Sequence, residues 1–255
     1  MSTHATRGSL YLVPTPLDFG CDSQASLNDV LPQTTLQVAS QTCHWITENA
    51  KSTRAFLKRV DAVLPLALPV QQLTITELPR EVHKKGDHAG QFDAKPLLKA
   101  ALAGQDIALV SEAGMPAVAD PGSSVVRAAH ELGLRVVPLI GPVSLLLALA
   151  ASGLNGQNFA FVGYLPQEAT ARTQRIRELE ALALKTGQTQ LFIETPYRNQ
   201  ALWEALLRGL QSSTREARAS GLTLPSMEVS CTSVQAWRNS AKAISGQPTV
   251  FAIGK

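Results

Sequence analysis

The chain lacks the features that mark several large protein classes. It has 3 cysteines, Cys21, Cys43 and Cys231, in 255 residues, widely spaced and without a C-x-x-C pair. That excludes a disulfide framework and argues against a cysteine-based zinc site, so no metal is expected and a reducing cytoplasm is the expected compartment. No long apolar run is unbroken. Leu134 to Ser152 is the longest, and Arg135, Pro138, Gly141 and Pro142 interrupt it, so it reads as strand, turn and buried helix rather than a membrane span. The start M-S-T-H-A-T-R-G has no apolar core and is expected to be a short frayed arm, neither a secretory signal nor a lipidation site. The phosphate cradles G-x-x-x-x-G-K-[ST] and G-x-G-x-x-G are both missing, which lowers kinase and dehydrogenase readings. Repeats, heptads and low-complexity tracts are missing too. A net charge of +3 is compatible with a polyanionic partner but does not by itself select one.

What is present is the composition of a soluble globular protein, 45% apolar and 17% charged, with enough length for two compact lobes. Gly8 to Val13 reads as a first strand that runs into the rigid Pro14 and Pro16. Thr35 to Ala39 and Cys43 to Thr47 are weaker strand candidates, and Ala50 to Val63 has the spacing of an amphipathic helix. Leu73 to Thr76 follows as a strand, then a polar loop P-R-E-V-H-K-K-G-D-H-A-G, then a helix over Asp93 to Ala103. Ile107 to Val110 is a short apolar run of the kind buried on both faces of a parallel sheet. Ser123 to Leu132 is helical by spacing, and Leu134 to Leu139 gives another buried strand, completing a βαβ alternation. Gly141-Pro142 makes a hinge-like break before the helix Ser144 to Ser152. The domain boundary falls there, giving an N-terminal lobe 1–140 with a mostly parallel sheet and a C-terminal mixed α/β lobe 141–255. The second lobe is read as strands at Phe159 to Tyr164, Gln190 to Glu194 and Thr249 to Ile253. Helices are expected over Thr173 to Leu184 and Asn199 to Leu210, and a polar mobile loop over Gln211 to Ser220.

The segment that carries chemistry is S-E-A-G-M-P-A-V-A-D-P-G, Ser111 to Gly122. Small residues and prolines directly after a buried strand make a rigid loop with exposed amides, and sheets of this kind bind ligands at the carboxyl ends of their strands. Glu112 and Asp120 add carboxylates suited to an amino group, a ribose hydroxyl or a sulfonium cation. The plainer reading of the same residues is a tight turn with a capping aspartate. His83, Asp87 and His88 sit in a glycine-bearing loop without a third matched ligand and read as surface. Cys43-His44, without a recognisable triad, reads as ordinary packing, and Trp203 and Trp237 as core or interface residues.

The order of segments resembles the tetrapyrrole methylase-like superfamily and, within it, the ribosomal RNA small subunit methyltransferase I family. The matching stretches are G-S-L-Y-L-V-P-T-P-L, A-L-V-S-E-A-G-M-P-A-V-A-D-P-G, G-L-R-V-V-P-L-I-G-P-V-S, A-L-A-A-S-G-L, F-A-F-V-G-Y-L-P and L-F-I-E-T-P-Y-R. They cover Gly8 to Leu17 and Gln105 to Leu207. The resemblance implies a two-lobed α/β homodimer that binds S-adenosylmethionine between its lobes. Its implied contacts are Pro14, the run Ser111, Glu112, Ala113, Gly114, Met115 and Pro116, then Ala119 and Asp120, Pro142 and Ser144, Glu194 and Thr195, and Pro248 and Thr249. On the substrate side it implies Arg172 and Arg175 in G-Y-L-P-Q-E-A-T-A-R-T-Q-R-I-R and Arg198 in E-T-P-Y-R, with Arg177 read as a solvated helix position. Glu194 is either a base for a ribose hydroxyl or a structural carboxylate beside the cofactor, and no catalytic residue is assigned. The chain departs from the family where D-F-G-C-D-S-Q replaces G-N-L-x-D-I, where T-E-N-A-K-S-T-R replaces E-D-T-R, and in having no clear R-E-L-T-K. The implied activity is methyl transfer to a ribose 2′-hydroxyl of small-subunit ribosomal RNA. Another acceptor, such as a tetrapyrrole-like small molecule, and a cofactor-binding, RNA-associated protein without catalysis both stay open.

Overall fold

The computed structural model describes residues 7–85, 87, 92–240, 243–244 and 246–255. His88, the His83 side chain and the arm before Arg7 lie outside the described residues. The chain divides into two compact units, one running to Gly20 and from Gln24 to Pro142, the other comprising Cys21–Ser23 and Val143–Lys255.

The first unit is a five-stranded sheet of β1 (Ser9–Val13), β2 (His44–Thr47), β3 (Thr74–Glu77), β4 (Ile107–Val110) and β5 (Arg135–Pro138), in the order β3-β2-β4-β1-β5 with every pairing parallel. Its helices are α1 (Leu27–Val30), α2 (Gln33–Gln41), α3 (Ala50–Val63), α4 (Arg80–Lys85), α5 (Lys99–Leu102) and α6 (Ser123–Glu131). β4 is the middle strand, and its four residues are at most 1% exposed. Alternate side chains explain why: Ile107 and Leu109 pack with Val125 and Ala129 of α6, while Ala108 and Val110 pack with Trp45, Phe56 and Leu57 on the other face. A strand covered on both faces reads as a continuous apolar run, which is how the sequence announces β4.

The second unit holds α7 (Ser144–Ser152), β6 (Phe159–Tyr164), α8 (Ala169–Thr186), β7 (Thr189–Glu194), α9 (Asn199–Gly209), β8 (Arg215–Ser220), β9 (Glu228–Ser233), α10 (Val234–Asn239) and β10 (Thr249–Gly254). The strand order is β6-β7-β10-β8-β9, with β6 and β7 parallel and the remaining pairs antiparallel. Phe192, Phe251 and Ile253 face Leu202, Trp203, Leu206 and Trp237 of α9 and α10, and the two indoles meet edge to face at 5.0 Å. α7 packs across β8, β9 and β10, where Ala217, Ala219 and Ala252 keep the surface low. No described helix is long and apolar enough to cross a membrane.

Several local expectations are corrected. Thr35–Ala39 is not a strand but the middle of α2, where buried Thr35, Leu36 and Ala39 follow helical spacing after Pro32. The polar stretch after Pro79 begins as helix α4 rather than loop. The helix expected over Asp93–Ala103 is a 3-10 turn, Lys95–Leu98, followed by the short α5. β5 is half-exposed at the sheet edge instead of buried. Gln211–Ser220, expected as a mobile loop, contains β8, whose last five residues are all buried.

Candidate functional site

The loop that leaves β4 is fixed at both ends. At its start Gly114 pairs with Thr15 through two backbone hydrogen bonds of 2.9 and 3.0 Å, which brings it to the end of β1 and to Pro14. Gly114 adopts φ +75°, and a side chain there would also meet Leu17. Gly141 lies so close to Pro14 that a Cβ would sit 2.3 Å from the ring, which holds Pro142 beside the same loop. Ser111, Glu112, Ala113, Gly114, Pro14 and Pro142 are therefore gathered within the first unit. Met115 and Pro116 continue the loop, and its middle is strained. Among the described residues three non-glycine positions have positive φ, and two of them, Ala117 and Ala119, both at φ 64°, lie here. A left-handed L-residue costs about 1–2 kcal/mol, and such strain gathers where backbone groups are held for a ligand.

At its exit the loop is held by Asp87. This buried carboxylate accepts hydrogen bonds from Gly122 N (2.9 Å), Ser123 Oγ (2.7 Å), Ser124 N (2.8 Å) and Ser124 Oγ (2.6 Å), capping α6 from 35 residues upstream. Arg127 returns to the Asp87 carbonyl oxygen at 2.9 Å. Burial alone would raise its pKa, but the hydrogen bonds from Ser123, Ser124 and Gly122 outweigh it and bring the group to about 2.

Three carboxylates meet beside the loop. Glu48 follows β2 and Glu112 follows β4, so both stand at the carboxyl ends of adjacent parallel strands. Glu48 Oε2 accepts a hydrogen bond from Glu112 N at 3.4 Å. Asp120 is pushed up to about 7, first by burial, then by the charge of Glu48 and to a smaller extent Glu112, against the pull of a hydrogen bond from Ser111. It is half-protonated near neutral pH and gains a full negative charge if a cation is placed beside it. In the departing segment, Arg59 forks onto Asp18 at 2.9 and 3.0 Å and onto Ala25 O at 2.7 Å, which pins Asp18 and Ala25 to α3.

In the second unit Glu194, Thr195, Pro248 and Thr249 come together, since Glu194 and Thr249 are register partners on β7 and β10. Pro248 O accepts from Gly221 N at 3.0 Å, and Thr249 Oγ1 bonds Ser220 Oγ at 2.8 Å. Ser144 opens α7, which packs on the same β10. Glu194 is buried and its Oε1 takes hydrogen bonds from Thr195 N, Arg198 Nε and Arg198 Nη2 at 2.8, 3.1 and 2.9 Å. Glu194 thus acts as the anchor of Arg198. Arg172 lies in the first turn of α8, and its buried Nε has no hydrogen-bond partner among the described residues. Arg175 pairs with Glu178 at 3.3 Å on the surface, and Arg177 is exposed.

Two residues in this arrangement escape motif reading. Glu48 carries the same signal as Glu112, a carboxylate directly after a parallel strand, but it sits in a segment that departs from the resembling family. Asp87, expected on a surface loop, is instead buried, because its partners Gly122 to Ser124 are distant in the chain and carry no local signal. Among the described residues no group of three His, Cys, Asp or Glu side chains is arranged to hold a metal ion.

The family model for tetrapyrrole (corrin/porphyrin) methylases matches residues 41–229. The chain belongs to the tetrapyrrole methylase family. The members of this family use S-adenosylmethionine as methyl donor. Ribosomal RNA small subunit methyltransferase I of Escherichia coli O157:H7 is 33% identical over 197 residues, covering 77% of this chain and 59% of that protein. The namesake from Pseudomonas aeruginosa is 30% identical over 191 residues, 75% of this chain and 58% of its own. This tetrapyrrole methylase chain thus spans less than two thirds of the relatives it matches. Uroporphyrin-III-C-methyltransferase from Thermus thermophilus shares the fold, with a TM-score of 0.54 at 19% identity over 98% of this chain and 95% of that one.

Proposed function

We propose that this chain is an S-adenosylmethionine-dependent methyltransferase whose acceptor is a ribose 2′-hydroxyl of small-subunit ribosomal RNA. The observation that carries the donor is the strained loop Ser111–Gly122 with Glu48, Glu112 and Asp120 around it. The residues present fit the group. Gly114 and the left-handed Ala117 and Ala119 give the loop a tight path with little side-chain bulk, and three carboxylates suit a cation. When bound, S-adenosylmethionine supplies a methyl group activated on a sulfonium. The loop residues Ser111 to Pro116 with Ala119 and Pro14 would bind it, and Asp120 would set the local charge. The donor carries one positive charge more than the thioether left after transfer, so the carboxylates favour donor over product.

The acceptor is supported by the relatives' names and by Arg172 and Arg198 beside the second-unit strands, where arginine forks suit phosphate. The mass of 27.2 kDa is that of one subunit of the homodimer we infer, which the apolar outer positions of α7, Leu146 (51% exposed) and Leu147 (40% exposed), support. Incubation of the full chain with labelled S-adenosylmethionine and unmethylated small ribosomal subunits tests the reading. Label in ribose of ribosomal RNA is the expected result. Donor binding with label only in a tetrapyrrole or another fraction would overturn the acceptor, and failure to bind the donor at millimolar concentration would overturn the activity.

A further inference from the structure

The chain has 3 tyrosines, and two of them stand out of the second unit at neighbouring strand ends. Tyr164 closes β6 and is 58% exposed, and Tyr197, three residues beyond the end of β7, is 81% exposed. β6 and β7 run parallel with Tyr164 in register with Ile193, so both rings emerge at the same, carboxyl, end of the sheet. Water solvates an indifferent tyrosine as easily as any other surface residue, but Tyr197 is not left loose. The Arg198 guanidinium lies 5.3 Å from its ring centroid. That guanidinium is itself held by Glu194 Oε1 at 2.9 and 3.1 Å and by Thr195 Oγ1 at 3.0 Å, and Glu194 is anchored in the core of β7. A fixed cation thus lies beside the ring, which stays largely open to solvent.

A flat aromatic face, pre-positioned and open to solvent, is what an unpaired base needs for stacking, and a base inside a duplex has no such face to offer. The neighbouring cations match the other half of the ligand. Arg198 keeps 28% of its side chain exposed, and Arg172 follows Tyr164 in the first turn of α8. We propose that Tyr164 and Tyr197 form a stacking platform for unpaired nucleobases of a single-stranded RNA segment, with Arg172 and Arg198 placed for its phosphates. This rests on the RNA reading above and adds to it that the chain engages a looped or melted stretch rather than a helix.

Fluorescence anisotropy of the full chain with a labelled ten-nucleotide single-stranded RNA and with an RNA hairpin stem tests it. Stacking on an aromatic side chain contributes about 1–3 kcal/mol per base, so Tyr197→Ala and Tyr164→Ala are each expected to weaken single-strand binding by about tenfold. Tyr197→Phe keeps the ring and should bind as the wild type does. Hairpin binding and the calorimetric affinity for S-adenosylmethionine should be unchanged in all three. Single-strand affinity of Tyr197→Ala within twofold of wild type overturns the platform and leaves the RNA reading standing, as does an equal loss on the hairpin. Absence of any RNA binding by the wild-type chain overturns both.

Discussion

Asp120 is a carboxyl group with a neutral-pH charge that a ligand can change. Because its pKa rises on folding to about 7 from an ordinary 3.8, the folded state prefers it protonated. Its contribution to stability is therefore best below about pH 4, declines as pH rises towards 7, and is level above that. Asp120→Asn removes the decline, so its melting temperature should exceed that of the wild type at pH 8 and match it at pH 4. Donor binding has the opposite sense. The wild-type affinity for S-adenosylmethionine, measured by calorimetry, should strengthen as pH rises from 6 to 8, while Asp120→Asn should bind about tenfold more weakly at pH 8 and show a flatter profile. Glu216 is the second such group. It is fully buried, and burial raises its pKa well above the usual range against the opposing pull of Arg218 and of the Trp237 indole. Glu216→Gln keeps the shape without the acid, so the variant should gain melting temperature relative to wild type as pH is raised from 5 to 9.

At the scale of elements, Asp87 joins a segment after α4 to the first turn of α6 and thereby closes the Ser111–Gly122 loop. Its folded pKa of about 2 lies below the ordinary 3.8, so the stabilisation it gives is present above pH 4 and is lost as pH falls towards 2. Asp87→Ala should cost about 2 kcal/mol in denaturant unfolding at pH 7, since several donors lose a charged acceptor at a helix N-terminus. Donor affinity should fall with it, because the exit of the loop is no longer fixed. Sequence reading finds α3, β4, α7 and β6 at their observed bounds, since each is governed by its own apolar spacing or by adjacent glycine and proline. It misses β8 for a specific reason. R-E-A-R-A-S turns Glu216 and Arg218 toward the core, where the Arg218 guanidinium lies 4.5 Å from the Trp237 ring centroid and 5.0 Å from that of Trp203. Its alanines lie under α7. Polarity along this strand is inverted relative to the usual rule, so composition reads it as loop.

For the whole molecule the testable consequence is association. A helix such as α7, without a charged residue and with Leu146 and Leu147 facing outward, leaves apolar surface that a second subunit would cover. Sedimentation of the wild type should give twice 27.2 kDa, and Leu147→Glu should shift it to the monomer without lowering the melting temperature of the separate subunit by more than a few degrees. The family and the position of the Ser111–Gly122 loop were determined by the sequence alone, because a buried parallel strand followed by S-E-A-G-M-P-A-V-A-D-P-G is a local pattern. Tertiary structure decided the rest: that Glu48 raises the pKa of Asp120, that Asp87 locks the loop, and that Glu194 holds Arg198 against Tyr197. The first two join residues tens of positions apart, and the third depends on which way side chains turn at a strand end, which apolar periodicity does not encode.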